Sequence, residues 1–465
     1  MTDMNLPEDF EQYTSQLMGE ERFQAFKDGL SQPAPVSIRL NPNKANGFVC
    51  PKESKNIPWC KEGFYLAKRP NFTFDPFLHA GLYYVQEASS MFLSSVLQQT
   101  VDSEPIMMLD LCAAPGGKST LALSTLPKGS LLVTNEPVRP RAQILSENIQ
   151  KWGNPNVIVT NNYPREFKKA GVQFDVILCD VPCSGEGMFR KDENAIAEWN
   201  RQKVDKCSQL QREIISDIWP CLKEGGILIY STCTFNTKEN EENVAWIAQH
   251  FEASFISINT NGFEGITGSL LDGFNEPVYR FIPGITKGEG LFMAVLRKKG
   301  TGEISKPLKQ KKHKLSITGE LDWLVPSKEF VGIETENQIY AIPKHWSDVY
   351  LQIKDFLHII HAGICYGKRK GKDIIPEQSL ALSTFLNRRA FIEIELPYQQ
   401  AIDYLRTEAI SLPADTPKGI ILVTFHGIPL GFVKNIGNRA NNLYPKEWKI
   451  KSTYIPDYET IFSFA

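Results

Sequence analysis

The chain has 465 residues, of which 42% are hydrophobic, 22% charged and 11% aromatic, which suits a globular protein of roughly three domains at ~150 residues each. That composition excludes a disordered chain, a collagen-like repeat and a small disulfide-stapled scaffold. Fifty-one Lys and Arg against 53 Asp and Glu leave a net charge of −2, so nucleic-acid binding depends on where positive charge clusters. The acidic, polar start MTDMNLPEDFEQY reads as neither a secretory signal nor a transit peptide, and no apolar run nears the ~20 residues of a membrane span. A soluble, cytoplasmic protein with no membrane partner is expected.

Residues 9–30 carry helical patterning, PVSIRLNP (35–42) is strand-like, and YYVQEASSMFLSSVL (83–97) reads as an apolar helix. From residue 105 onward strands and helices alternate. IMMLDLC (106–112) is a buried-type run ending at a Gly-rich loop, followed by the helix STLALSTL. LLVTNE (131–136) is a second strand, with the helix RPRAQILSENIQKWG and its glycine stop behind it. VIVTNN, FDVILCD and GGILIYSTC are the third, fourth and fifth strands, with a long helical region at 193–223 before the fifth. ENEENVAWIAQHF is a further helix, and FISI and GLFMAVLRK close the series. Strands too apolar to face water, alternating with helices, imply a parallel sheet covered on both faces. The fold class is therefore α/β, a doubly wound, mostly parallel sheet at 107–297.

The run RKKGTGEISKPLKQKKHK (297–314) holds eight Lys or Arg and one Glu, which reads as a solvated linker. Beyond it IIPEQSLALS, FIEIEL, KGIILVTFHGIPLGFVKNIGN and WKIKSTYIP are short strand-like runs broken by Gly, Pro and Asn. They predict an α+β region ending in a small β-barrel-like module. The expected divisions are 1–100, 101–299, a basic linker at 300–315, and 316–465 with the barrel from about 385.

The segment LDLCAAPGGKST (109–120) joins the first strand to its helix. Small residues there let a ligand approach the backbone at the strand's carboxyl end. The spacing fits neither the dinucleotide fingerprint nor a P-loop. Glu136 ends the second strand, where a ribose diol needs a carboxylate acceptor; capping the positive end of the next helix is the alternative. Together they favour an adenosine-type cofactor.

Nine scattered cysteines include no CxxC pair, and seven histidines show no ligand spacing, so no metal is expected. Cys183, in DVPCSGEG, and Cys233, in STCTFN, follow the fourth and fifth strands in polar loops, so both face the cofactor crevice. Cys179, inside an apolar run, reads as buried and inert; Cys112 reads as packed, and Cys207 and Cys221 as structural. A thiolate in a crevice is a soft nucleophile suited to an electrophilic ring carbon. Lys118, Arg190 and Lys191 are the candidate cations to lower its pKa.

CAAPGGK, DVPCSGEGMFRK and YSTCTFNTKENEENV, in that order, resemble the Sun-type RNA cytosine-C5 methyltransferase family. PVSIRLNP and GLYYVQEASSM are similar to that family's N-terminal region. The ending PLGFVKNIGNRANNLYPKEW is similar to the extension of bacterial members, of the F type, that methylate small-subunit ribosomal RNA. The resemblance implies a Rossmann-like class I methyltransferase with a PUA-like RNA-binding barrel, using S-adenosyl-L-methionine. It implies Cys233 as the nucleophile at cytosine position 6, Cys183 as the residue assisting adduct breakdown, Asp180 on the cytosine ring edge, and Lys118 orienting that carboxylate. Cofactor contacts carry over to Cys112, Ala113, Ala114, Pro115, Gly116, Gly117, Lys118, Glu136, Arg141 and Asp180. Where the family usually has an acid after the third strand, this chain offers Asn162, whose amide oxygen can accept from the adenine amino group.

A base must leave its stack to reach such a crevice, and the phosphates around it need cations. Candidates are Arg39, Arg190, Lys191, Lys368, Arg369, Lys434 and Arg439, with Tyr366 placed to stack on bases and Phe432 read rather as core. The implied partner is small-subunit rRNA or the ribosomal subunit, bound by a monomer. tRNA is the alternative substrate. A small-molecule or DNA methyltransferase is disfavoured by the paired cysteines and basic extensions, and a non-catalytic assembly factor by the intact nucleophile, Asp180 and cofactor loop.

Overall fold

The computed structural model describes residues 6–300 and 321–462, apart from 49, 51, 52, 336, 453, 455 and 458–460. The basic linker expected at 300–315 lies, but for Gly300, outside the described residues.

The centre is a mixed sheet. Its parallel strands are β1 (Met107–Asp110), β2 (Leu131–Asn135), β3 (Val157–Thr160), β4 (Phe174–Asp180) and β5 (Leu222–Thr232), in the order β3-β2-β1-β4-β5. Three antiparallel strands, β6 (Ala253–Phe255), β7 (Val278–Phe281) and β8 (Leu291–Lys298), complete one side; β8 pairs with β5, and β6 and β7 both pair with β8. Every residue of β1, β2 and β3 is buried, because both faces are covered. Pleating then splits each strand between two cores. Leu109, Val133 and Ile177 join one; Met108, Leu132 and Val176 join the other.

Helices α1 (Gly117–Thr125) and α2 (Arg139–Trp152) follow β1 and β2, and α3 (Pro164–Ala170), α4 (Arg201–Ile218) and α5 (Glu241–His250) follow β3, β4 and β5. In α2 the buried positions Ala142, Leu145, Ser146, Ile149 and Trp152 recur at helical spacing. Pro140 sits in its first turn, and Gly153, left-handed at φ 81°, ends it. The helical region expected at 193–223 is broken: Glu193–Glu198 stops, and Asn200 caps α4 by accepting from Lys203 N at 2.8 Å.

The N-terminal region has two helices, Glu8–Met18 and Glu20–Leu30, and a four-stranded antiparallel sheet built of Val36–Leu40, Lys55–Ile57, Cys60–Leu66 and Tyr83–Val85. The apolar helix expected at 83–97 is a strand, a 3-10 turn (Ser89–Phe92) and a helix (Leu93–Thr100). The Glu87 carboxylate makes that break, accepting from Ser89 N and Ser90 N at 2.8 Å each. Phe10 and Phe26 of the first helices pack edge-on against Phe189 and Phe235, residues of the loops that carry Cys183 and Cys233.

Past residue 320, four antiparallel strands (Phe330–Thr335, Gln338–Pro343, Ile364–Lys370, Asp373–Pro376) form a second sheet. The connecting strand β9 (Ile359–Ala362) leaves it to extend the central sheet antiparallel to β3. IIPEQSLALS is thus strand Asp373–Pro376 followed by helix Gln378–Ala381, and WKIKSTYIP forms no strand among its described residues. The last sheet is Ile392–Glu395, Gly419–Phe425, Ile428–Asn435 and Ala440–Asn442. Val423 and Tyr404 share a core with Ile38 and Phe77 of the N-terminal region. No helix among the described residues is long and apolar enough to cross a membrane.

Candidate active site

A cavity of about 800 Å³ opens at the carboxyl ends of β1 to β5, where doubly wound sheets bind ligands, and its size suits a small-molecule site. Cys112 and Ala114 line it after β1, Glu136 to Val138 after β2, Tyr163 to Arg165 after β3, Asp180 to Cys183 after β4 and Cys233 after β5. Leu210, Glu213, Ile214 and Asp217 of α4 form its outer wall.

The residues present fit an adenosylated cofactor. Glu136 is buried, its Oε1 accepting from Val138 N at 3.0 Å and its Oε2 lying 3.3 Å from Arg141 Nη1. A carboxylate offers about four lone-pair sites, so acceptor capacity remains toward the cavity for a diol. Arg141 also donates to Ala114 O at 3.1 Å, and Asn148 Nδ2 to Pro115 O at 2.8 Å, so α2 ties down the loop. Only two of the loop's small residues line the cavity. Ala113 is buried with its amide on Asn135 O. Gly116 opens α1 at φ 114°, and a Cβ there would sit 3.2 Å from Leu145 Cδ1; its bare backbone serves the crossing of α1 and α2.

Asn162 is a correction. It is buried, does not line the cavity, and its amide oxygen accepts from His358 N at 3.0 Å. That bond holds the segment entering β9, and Tyr163 and Pro164 take the place at the cavity wall. Asp110, passed over in the sequence, is fully buried below the loop. Burial pushes its carboxyl up to about 7, with Asp180 and Glu136 adding to the rise and the Ser119 hydroxyl and Lys118 opposing it.

The two cysteines meet. Cys183 Sγ and Cys233 Sγ are 3.2 Å apart, and both thiols are free. The Cys183 thiol is raised well above its ordinary range, by its hydrogen bond to Cys233 and then by burial. Gly187 makes the approach possible: its N–H donates to Cys233 O at 2.7 Å, and a Cβ there would lie 2.5 Å from that oxygen. Cys179 is buried with its thiol raised by burial, as expected of an inert core residue.

Lys118 Nζ lies 2.8 Å from Asp180 Oδ2, and Ser231 donates to Asp180 Oδ1 at 2.6 Å. Burial pulls the Lys118 ammonium down, but Asp180, Asp110 and Cys233 together hold it above its ordinary value. Lys118 is thus held beside the cavity by Asp180. Arg190, another of the candidate cations, is spent on Glu289 at 3.1 Å and on the carbonyls of Gly29, Gln32 and Gly288.

Arg190, half-buried and held by the same bonds, is not a free surface cation, and Arg39 is a further correction. Arg39 is 1% exposed, donates to Gln86 and Thr120, and lies over the Trp152 ring. Arg369 is held by both oxygens of Glu334. Lys191, Lys368 and Arg439 are exposed and Lys434 half-buried. Tyr366 is buried, stacked on Trp323, so it does not stack on bases; Phe432 is core, as expected.

Sheet order, cavity and terminal loops are those of a Rossmann-like fold with a small-molecule site, and the family match makes it an S-adenosylmethionine-dependent methyltransferase. The family model for 16S rRNA methyltransferase RsmB/F matches residues 96–297, that for the N-terminal domain of 16S rRNA methyltransferase RsmF matches 6–88, and that for the methyltransferase RsmF PUA domain matches 391–450. Ribosomal RNA small subunit methyltransferase F of Shewanella woodyi is 31% identical over 447 residues, 90% of this chain and 91% of the relative. The Escherichia coli protein of that name is 32% identical, covering 84% of each. Among solved structures, a methyltransferase homolog protein from Pyrococcus horikoshii superimposes with a TM-score of 0.53 at 27% identity, over 63% of this chain and 96% of that one. NSun6 from the same organism, solved with SFG, has the same fold: TM-score 0.53, 20% identity, 64% of this chain and 100% of that one. The chain belongs to the ribosomal RNA small subunit methyltransferase F family.

Proposed function

We propose that this protein methylates carbon 5 of a cytosine in small-subunit ribosomal RNA through a covalent bond between Cys233 and carbon 6 of the base. One observation carries the reading: two free thiols 3.2 Å apart, on loops after adjacent strands, at the edge of a cofactor-sized cavity. Cys112, Ala114, Glu136 and Arg141 would hold S-adenosylmethionine, which when bound supplies an electrophilic methyl on its sulfonium.

Carbon 5 of cytosine is too poor a nucleophile to take that methyl directly. The Cys233 thiolate adds to carbon 6, forming a C–S bond and moving the 5,6 π electrons onto carbon 5. Asp180, oriented by Lys118 and Ser231, binds the ring edge and stabilises its protonated form as charge develops. With Cys233 consumed in the C–S bond, Cys183 serves as the base, its own proton going to solvent. As a thiolate it takes the proton from carbon 5; the 5,6 double bond re-forms and Cys233 leaves as a thiolate. The net release is one proton per methyl transferred.

The target cytosine is unstacked to enter. The region matched by the RsmF N-terminal family model and the PUA-matched sheet, with Lys191, Lys368, Lys434 and Arg439, hold the surrounding RNA. The reading is of a monomer acting in the cytoplasm on rRNA or the assembled subunit.

The test is transfer of labelled methyl to small-subunit rRNA, and to the subunit, from a strain lacking the protein, with tRNA and DNA in competition. Label appears as 5-methylcytosine in rRNA, Cys233→Ala abolishes it, and Cys183→Ala accumulates a covalent RNA–protein adduct. Label confined to tRNA moves the substrate and leaves the chemistry standing. Full activity in Cys233→Ala overturns the mechanism.

A further inference from the structure

Behind the two sulfurs lie two buried carboxylates that the chemistry above does not use. Glu186 is 1% exposed and Glu239 0%, and among the described residues neither forms an ion pair. Isolated carboxylates are expensive to bury, so an arrangement that keeps two of them needs a reason beyond closing a turn.

Their partners supply one. Glu186 belongs to the loop of Cys183, yet its Oε2 accepts from Phe235 N at 2.6 Å and Asn236 N at 3.1 Å, just past Cys233. Glu239 belongs to the loop of Cys233, yet its Oε2 accepts from Ser184 N at 3.0 Å, the residue next to Cys183. Asn236 Nδ2 joins the two, donating to Glu186 Oε1 at 2.9 Å and Glu239 Oε1 at 2.8 Å. Trp199 Nε1 and Gln211 Nε2 fill further acceptor sites on Glu186 and Glu239 respectively.

We propose that Glu186 and Glu239 are positioning residues whose reciprocal clasp sets the distance between the Cys183 and Cys233 sulfurs, and with it the speed of adduct breakdown. The proposal rests on the two-cysteine mechanism for its consequence, though not for its geometry. A Gln in either place turns an accepting oxygen into a donor facing donors, so the loops part. A displacement near 1 Å lowers a positioned step by up to about 100-fold.

The sulfur distance can be read without methyl transfer. Diamide takes two electrons and two protons from a thiol pair, leaving one S–S bond; its rate between Cys183 and Cys233, followed by mass spectrometry, reports their proximity. Alkylation of Cys233 by iodoacetamide in Cys183→Ala backgrounds gives its reactivity alone. Glu186→Gln, Glu239→Gln and the milder Asn236→Ala should each slow disulfide formation about tenfold or more, with alkylation changed less than about threefold. In turnover they lower kcat and prolong the covalent adduct, with KM for RNA and cofactor held. Phe26→Leu, which loosens the same loops from outside, is the control for general destabilisation.

If Asn236→Ala keeps its fold and oxidises at the wild-type rate, the clasp does not set the distance and the proposal falls. It falls equally if Phe26→Leu slows oxidation as much as the clasp variants do. Should Cys233→Ala prove active while the clasp variants still slow oxidation, the positioning role stands and the covalent mechanism is what fails.

Discussion

Glu136 offers the sharpest separation of a ligand contact from a helix brace. Its Oε1 is occupied by Val138 N at the start of α2, and its Oε2 lies 3.3 Å from Arg141, whose side chain is 55% exposed. An ion pair that exposed contributes about 0–1 kcal/mol, so Arg141→Ala should weaken cofactor binding less than about fivefold. If Glu136 also accepts two ribose hydroxyls, each bond to the carboxylate is worth about 1.5–3 kcal/mol. Glu136→Ala then raises Kd by 100-fold or more, at about 1.4 kcal/mol per tenfold. Glu136→Gln keeps the shape and exchanges charged for neutral hydrogen bonds, a change of about 1–1.5 kcal/mol and roughly tenfold. Isothermal titration with S-adenosylhomocysteine measures all three, and thermal melting reports the brace. A Kd for Glu136→Ala within twofold of wild type, with a lowered melting temperature, would refute the ligand role and leave Glu136 as a cap on α2.

Arg280 pairs with Glu241 in full burial and donates to Phe235 O at 2.8 Å. Arg280→Met leaves that carboxylate unpaired, so urea unfolding should lose about 3–5 kcal/mol; a loss under about 1 kcal/mol would contradict the pairing. Burial, with Glu186 adding to it, lifts Glu239 from the ordinary 4.5 to about 7. The folded state therefore keeps a proton that the unfolded chain releases, and stability falls as pH rises from 4.5 through about 7. At about 1.4 kcal/mol per unit the decline approaches about 3 kcal/mol, and Glu239→Gln should flatten it in melts from pH 4 to 8. Arg39→Ala should lower stability and leave RNA affinity unchanged, whereas Arg439→Ala should leave stability unchanged. The same Arg439 variant should reduce the slope of log affinity against log salt by about one unit, and equal slopes in all proteins would remove Arg439 from the RNA interface.

The central sheet is legible because its strands are continuous apolar runs, and the cysteine contrast because Cys179 sits inside one while Cys183 and Cys233 sit beyond two. The rest depends on partners far away in sequence. Arg39 alternates outward in SIRLNP like a surface cation, but its acceptors, Gln86 and Thr120, and its ring, Trp152, come from three other segments. β9 reads as nothing in particular because HIIHAG becomes a strand only against β3, some 200 residues earlier. Glu186 and Glu239, charged residues in polar loops, look like solvated acids, and their signal was position: each lies within six residues of a crevice cysteine. A charge that close to a nucleophile has either to reach the ligand or to hold the backbone that does. Here both turn inward onto the opposite loop. The N-terminal helices close the back of that arrangement through Phe10 and Phe26, while the clasp itself lies wholly in the two loops between β4 and α5.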